Sequence, residues 1–280
     1  MMEILDNHLH LQPHGEFLNA ARRFERAGGT RLIVAHMPYH DLPVTKSFDF
    51  SEGFRRTISI AEEVERRTGL WCRAVIGPYP VEMVRLCETL PLERAKELML
   101  EGMDEAAEFV EEGRALGLGE IGRPHFDVAP EVLDASNEVL MHGMRTARVL
   151  DCAVVLHTES ATPGVMRELA EMADRAGLQR ERVIKHFSPP LASHELNHGL
   201  TISLLATTSN LTEALRQGGQ FLMETDYLDD PRRPGAVLGV ETVPRRTKEM
   251  LRKGLMTKEQ AQIIHEETPR RAYGQRYEER

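Results

Sequence analysis

An α/β chain closed as a (β/α)8 (TIM) barrel, one domain over residues 1–280, is the fold this sequence predicts. Three observations carry that prediction. Short runs rich in Val, Ile and Leu alternate with longer stretches of helical period, the pattern of a parallel sheet with crossover helices, and there are eight such runs. The length suits one such barrel, which typically takes about 250 residues. The histidines and carboxylates with metal-binding chemistry fall at the C-terminal ends of the runs, where barrels of this kind carry their sites. A doubly wound open sheet is the competing arrangement, and the clustering of polar residues at the run ends favours the barrel.

In chain order the predicted strands are Glu3–Leu9, Arg31–Met37, Trp71–Gly77, Leu116–Ile121, Cys152–His157, Arg182–Phe187, Leu200–Ala206 and Gln220–Asp226. Between the third and fourth, Leu92, Ala95, Met99, Met103, Ala106 and Val110 recur at three- or four-residue spacing and form the apolar face of a long helix. Thr162-Pro163 reads as an N-cap followed by proline in the first turn, and Gly177 stops that helix. Thr257 with Gln260 forms a capping box that opens a C-terminal helix.

Composition narrows the function. Hydrophobic residues at 41% and charged residues at 28% describe a folding chain. The formal charge of −9 gives no general attraction to nucleic acid or to an anionic membrane, so extended nucleic-acid binding is not expected. Cys72, Cys87 and Cys152 sit far apart in apolar sequence and read as reduced thiols. With no signal-peptide pattern at the start and no run of about 18 apolar residues, the expected location is the cytoplasm, with no membrane association.

The first strand ends in Asp6-Asn7-His8-Leu9-His10, and alternation puts both histidines on one side of the backbone. Later strands end in Glu120, His157, His186 and Asp226. Burying several such groups at apolar strand ends demands a mutual network or a cation, and a cation is the simpler account. Four histidines and two carboxylates without cysteine suit zinc or manganese, with magnesium as a further option. Six ligands exceed one tetrahedral ion, so two ions are expected, with Glu120 bridging them. His36 and His125, on the same rim, are candidate substrate-binding residues, whereas His14, His40, His142, His194, His198 and His265 receive no role. Gly117-Leu118-Gly119-Glu120-Ile121-Gly122 satisfies the dinucleotide-binding spacing, but a helix precedes it and Pro124 follows, so no nucleotide cofactor is expected.

The D-x-H-x-H run, Gly119-Glu120-Ile121-Gly122, the strand-end His157 and His186, and Glu224-Thr225-Asp226 together resemble the TatD-related metal-dependent hydrolases of the amidohydrolase superfamily. The resemblance runs from residue 6 to about Gly274, where His265–Gly274 is similar to the family's C-terminal helix. It implies that His8, His10 and Asp226 hold one ion, His157 and His186 the other, and that Glu120 is shared. Asp226 then accepts the proton of a water activated between two ions. The sequence departs from the family pattern at Glu159, where an arginine is usual. It departs again after Gly122, where Arg123-Pro124-His125 replaces a run toward an aspartate, and after His186, where two prolines follow. Arg123 and Glu159 thereby join the candidate substrate residues, and the carboxylate of Glu159 is expected to disfavour phosphate.

The expected activity is hydrolysis of a phosphoester, with nucleic-acid ends as one form of it. The alternative is hydrolysis of a small-molecule lactone or amide. A metal-bound scaffold without turnover is the third class, disfavoured by the presence of Asp226.

Overall fold

A computed structural model describes residues 2–233 and 236–278. Nine strands form one curled sheet: β1 (Leu5–His10), β2 (Arg31–Ala35), β3 (Trp71–Ile76), β4 (Gly117–Gly122), β5 (Ala153–His157), β6 (Val183–Lys185), β7 (Thr201–Leu205), β8 (Leu222–Glu224) and β9 (Tyr227–Leu228). Their order is β8-β7-β6-β5-β4-β3-β2-β1-β9, and every pairing is parallel. Sequential strands are therefore neighbours, as right-handed strand–helix–strand crossovers produce.

Each of the eight predicted runs overlaps one of β1 to β8, with ends at most two residues apart. The ninth strand was not foreseen, because it continues the eighth after a break of two residues, Thr225 and Asp226. That break is where the two ends of the sheet meet. Asp6 accepts from Thr225 N at 3.0 Å, His8 O from Asp226 N at 2.9 Å, and His10 O from Asp229 N at 3.0 Å.

The helix over Leu92–Glu111 buries the predicted face, with Ala95, Met99, Met103, Ala106 and Val110 all inside. Thr162 caps its helix through Val165 N, Gly177 ends it in the left-handed conformation, and the Thr257–Gln260 capping box is present. Among the described residues no helix is long and apolar enough to cross a membrane.

The core has two layers. The larger lies between sheet and helices. The smaller fills the inside of the curl with Leu5, Ile33, Val75, Val155, Ile184 and Leu222, and Tyr273 and Tyr277 from the C-terminal segment join it. Tyr277 lies against Trp71, and the Arg31 guanidinium is stacked on both rings at 4.8 and 4.6 Å. These contacts stopper the end where the strands begin, leaving the other end for polar side chains.

Candidate metal centre

Two irregularities of the sheet aim the polar groups. In β1 the register against β2 shifts between Asp6 and Leu9, so three steps on β1 match two on β2. The inward positions change from Leu5 and Asn7 to His8 and His10, while Leu9 turns out into the larger core. In β4 the shift lies between Gly119 and Ile121, which makes Glu120 the extra residue. A bulge re-aims the side chain it carries. Glycine permits the close approach on either side: a Cβ on Gly119 would meet Val155 Cβ at 2.7 Å, and Gly122, at φ +142°, would place one 2.1 Å from His157 O. The glycines of the Gly-Glu-Ile-Gly run thus seat β4 against β5.

All six predicted ligands converge around Glu120. Its Oε1 lies 2.6 Å from His8 Nε2, 3.3 Å from His186 Nε2 and 3.8 Å from His10 Nε2, while its Oε2 lies 3.2 Å from His157 Nδ1. Asp226 Oδ1 is 3.4 Å from His10 Nε2 and 3.9 Å from His8 Nε2. Two groups of potential ligand atoms are each compact enough for one ion, His8–His10–Asp226 and His8–Glu120–His186. His157 stands outside both triads but contacts Glu120 and, at 3.3 Å, His186 Nε2.

The donor set fits a cation better than a closed hydrogen-bond network. His8 is fully buried and stacks on His186 at 4.1 Å; its Nε2 faces Glu120 Oε1 at 2.6 Å, and its Nδ1 has no hydrogen-bond partner among the described residues. The other imidazoles are oriented from behind, as metal-binding histidines usually are. His10 Nδ1 meets Ala35 O at 3.0 Å, leaving Nε2 for the centre, and His186 Nδ1 faces Glu224 Oε1 at 3.5 Å. His157 Nε2 meets His125 Nδ1 at 2.8 Å and Tyr79 OH at 3.4 Å, which leaves Nδ1 facing inward.

Electrostatics follow from burial and proximity. Burial raises Glu120, but the imidazoles of His186, His157 and His8 outweigh it and hold the carboxyl well below its usual range. Burial likewise opposes, and the hydrogen bond and charge of His10 override, in keeping Asp226 low. Burial lowers His8, yet the Glu120 carboxylate beside it lifts the imidazole to about 9. The carboxylates are therefore ionised, and positive charge at their centre is favourable.

The substrate-residue candidates separate. His125 touches His157, as described. His36 is buried behind the end of β2, with Nδ1 2.8 Å from Thr57 Oγ1 and its ring against Phe54; burial, helped by His10, pulls it down to about 3. Arg123 is buried and fully engaged, by Glu159 at 3.0 and 2.7 Å, Glu168 at 2.8 Å and Asn137 at 3.2 Å. Glu159 is accordingly paired with Arg123, a cation it shares with Glu168.

Several residues escaped sequence reasoning. Glu224 is buried under His186 and accepts from Phe187 N at 2.7 Å. It lies two positions before Asp226 in the predicted run Gln220–Asp226, so period-two alternation was a usable signal. Tyr79, after β3, lines a cavity of about 140 Å³ over the centre together with Met37, Leu228 and Arg233. Asp229 accepts from the backbone N–H of Gln12, Glu16 and Phe17 and ties down the loop after His10. Nothing local in the sequence marks that last contact.

The profile of the family described as TatD related DNase matches residues 5–274. An uncharacterized protein of Methanocaldococcus jannaschii is 34% identical over 275 residues, 97% of this chain and 96% of that protein. Among solved structures, a TatD homolog of Escherichia coli superposes with a TM-score of 0.66 at 21% identity, covering 96% of this chain and 97% of its own. A TatD-like protein of Archaeoglobus fulgidus gives 0.62 at 16%, covering 96% and 99%. A variant of a phosphotriesterase-like lactonase of Deinococcus radiodurans gives 0.64 at 16%, covering 98% and 96%. These structural likenesses speak to the fold.

Proposed function

Because the chain belongs to the TatD related DNase family, we propose that it is a divalent-metal-dependent hydrolase of phosphoesters, built as one (β/α)8 barrel domain over residues 1–280. The observation that carries this reading is the convergence on Glu120 of four imidazoles, of which His10 and His157 are held from behind by hydrogen bonds and His186 faces Glu224 Oε1 at 3.5 Å. His8, His10 and Asp226 would hold one ion and His157 and His186 a second, with Glu120 offering one oxygen to each. Zinc or manganese suits this set, and magnesium less so. Divalent ions bound there supply Lewis-acid polarisation of the scissile group and lower the pKa of a water toward neutrality.

The chain's own residues do the rest. Asp226 is ionised and borders the cavity, so it can take a proton from water and return it to the leaving oxygen. Tyr79 is raised by burial and by the nearby carboxylates and stays protonated, a donor for charge developing on the substrate. Arg233 lines the same cavity and has no ion pair among the described residues, which suits an anionic ester.

A second reading, hydrolysis of a small lactone or amide, is favoured by one observation. Arg123, Arg232 and Arg245 are held in ion pairs with Glu159, Asp230 and Glu241, which leaves fewer free cations for a polyanion such as long DNA.

The deciding experiment strips the protein of metal, restores zinc, manganese or magnesium singly, and assays bis(p-nitrophenyl) phosphate, DNA ends, a lactone and a cyclic amide beside elemental analysis. Metal-dependent turnover of the phosphodiester supports the first reading. Turnover by the metal-free protein would sink both.

A further inference from the structure

The loops that follow β1, β2 and β9 enclose a second cavity beside the centre. It measures about 390 Å³ against about 140 Å³ for the cavity over the ligands, and Met37 is a wall of both. The remaining apolar walls are Pro13, Pro38, Tyr39 and Pro231. The smaller cavity holds little more than the reacting group, so a larger portion of a substrate extends beyond it, and the cavity that shares Met37 is one space that adjoins it.

The charges in the larger cavity are closed on one another. Arg56 Nη1 meets both oxygens of Asp41 at 2.7 and 2.8 Å, and its guanidinium lies 4.7 Å over the Tyr39 ring. Arg232 spans both oxygens of Asp230 at 2.9 and 2.8 Å. Asp229 is occupied by three backbone N–H groups and Tyr227 OH. A charged substrate portion would have to break one of these pairs, whereas an apolar one gains by leaving water.

From these walls and pairings we infer that the larger cavity binds an uncharged, apolar arm of the substrate, an aryl or branched alkyl group attached through the ester that the centre cleaves. The inference rests on the hydrolase reading for the bond broken, but not for the binding of the arm. It makes the enzyme one for small esters with an apolar substituent, and disfavours a nucleoside in the same place.

The test keeps p-nitrophenol as leaving group and varies the other ester of the phosphate among methyl, phenyl and thymidine-5′, using metal-loaded protein. The phenyl diester should exceed the methyl diester in kcat/KM by about tenfold, roughly 1.4 kcal/mol, after correction for uncatalysed rates, and the thymidine diester should show no such gain. Pro38→Asp and Pro13→Asp, on separate loops, should each bring the phenyl-to-methyl ratio near one, with folding checked by circular dichroism; the second variant serves if the first does not fold. In parallel, binding of 2-naphthol followed by ligand-observed NMR should be seen with the parent protein and lost in both variants. A preference for the thymidine diester, or 2-naphthol binding unaltered in the folded variants, overturns the assignment. If no diester is turned over while 2-naphthol binds and the variants lose it, the phosphoester reading falls and the apolar cavity stands.

Discussion

The guanidinium of Arg123 closes on both carboxylate oxygens of Glu159, at 3.0 and 2.7 Å. Two positions at which the sequence departs from the family pattern are thus partners, and the carboxylate that sequence reasoning set against phosphate is neutralised by the cation expected to attract it. Replacing Glu159 with Gln should cost about 1–2 kcal/mol, less than the roughly 3–5 of a fully buried pair, since Glu159 is more than a third exposed and Glu168 still holds Arg123. Glu159→Arg should cost more, by setting two cations together, and should not raise phosphodiesterase activity. Urea denaturation with a parallel assay checks both; an unchanged midpoint in the Arg variant would show the pair to be idle.

Asp226→Asn should lower kcat by about 10²–10⁴-fold, the range of a lost general base, while most metal is retained, since an amide oxygen still ligates. His8→Ala should lose metal, because His8 belongs to both candidate triads. Elemental analysis beside initial rates separates the two effects, and near-normal turnover by the Asn variant excludes Asp226 as the base.

Glu224→Gln should weaken metal binding by about 10–100-fold, as loss of an outer partner of a ligating histidine does. The amide oxygen can still accept from Phe187 N, but the charge facing His186 Nδ1 is gone. Competition with a chelator of known affinity measures this, and parent-like affinity would remove Glu224 from the centre's support.

Burial lowers His265 from 6.5 to about 4; its Nδ1 accepts from Leu5 N and its Nε2 meets Thr247 Oγ1. The folded-state pKa lies below that of the unfolded chain, so the unfolded state takes up the proton first on acidification. The stability that neutral His265 contributes is full above pH 6.5 and is lost as pH falls toward 4, by up to about 1.4 kcal/mol per unit. His36, lowered to about 3, adds a loss of the same sign. Urea midpoints between pH 7 and 4 should fall more steeply for the parent than for His265→Gln; equal slopes would refute the contribution of His265.

The strands and the six strand-end side chains that meet around Glu120 were legible because both follow from short-range pattern: apolar runs give strands, and alternation gives the face. The bulges that aim His8, His10 and Glu120 were not legible, since a register shift is a property of two strands together. Glu224 was within reach of the same alternation that picked out Asp226. Arg123 was read as a substrate residue because the partners that engage it are distant in sequence: it meets Glu159 36 positions away and Glu168 45 away. Tyr79 and Asp229 act through contacts made only once the loops are closed over the centre.

The fastening of Thr225 to Asp6 joins residues 219 positions apart, and its consequence concerns synthesis on the ribosome. His8 and His10 emerge early, but the backbone that steadies them and the carboxylate that completes their group arrive only with Thr225 and Asp226. Loop closure over such a span is slow relative to local pairing. A nascent chain arrested before residue 226 can thus display both histidines while lacking the carboxylate that lies beside them, so the proposed centre is assembled only in the late stages of translation.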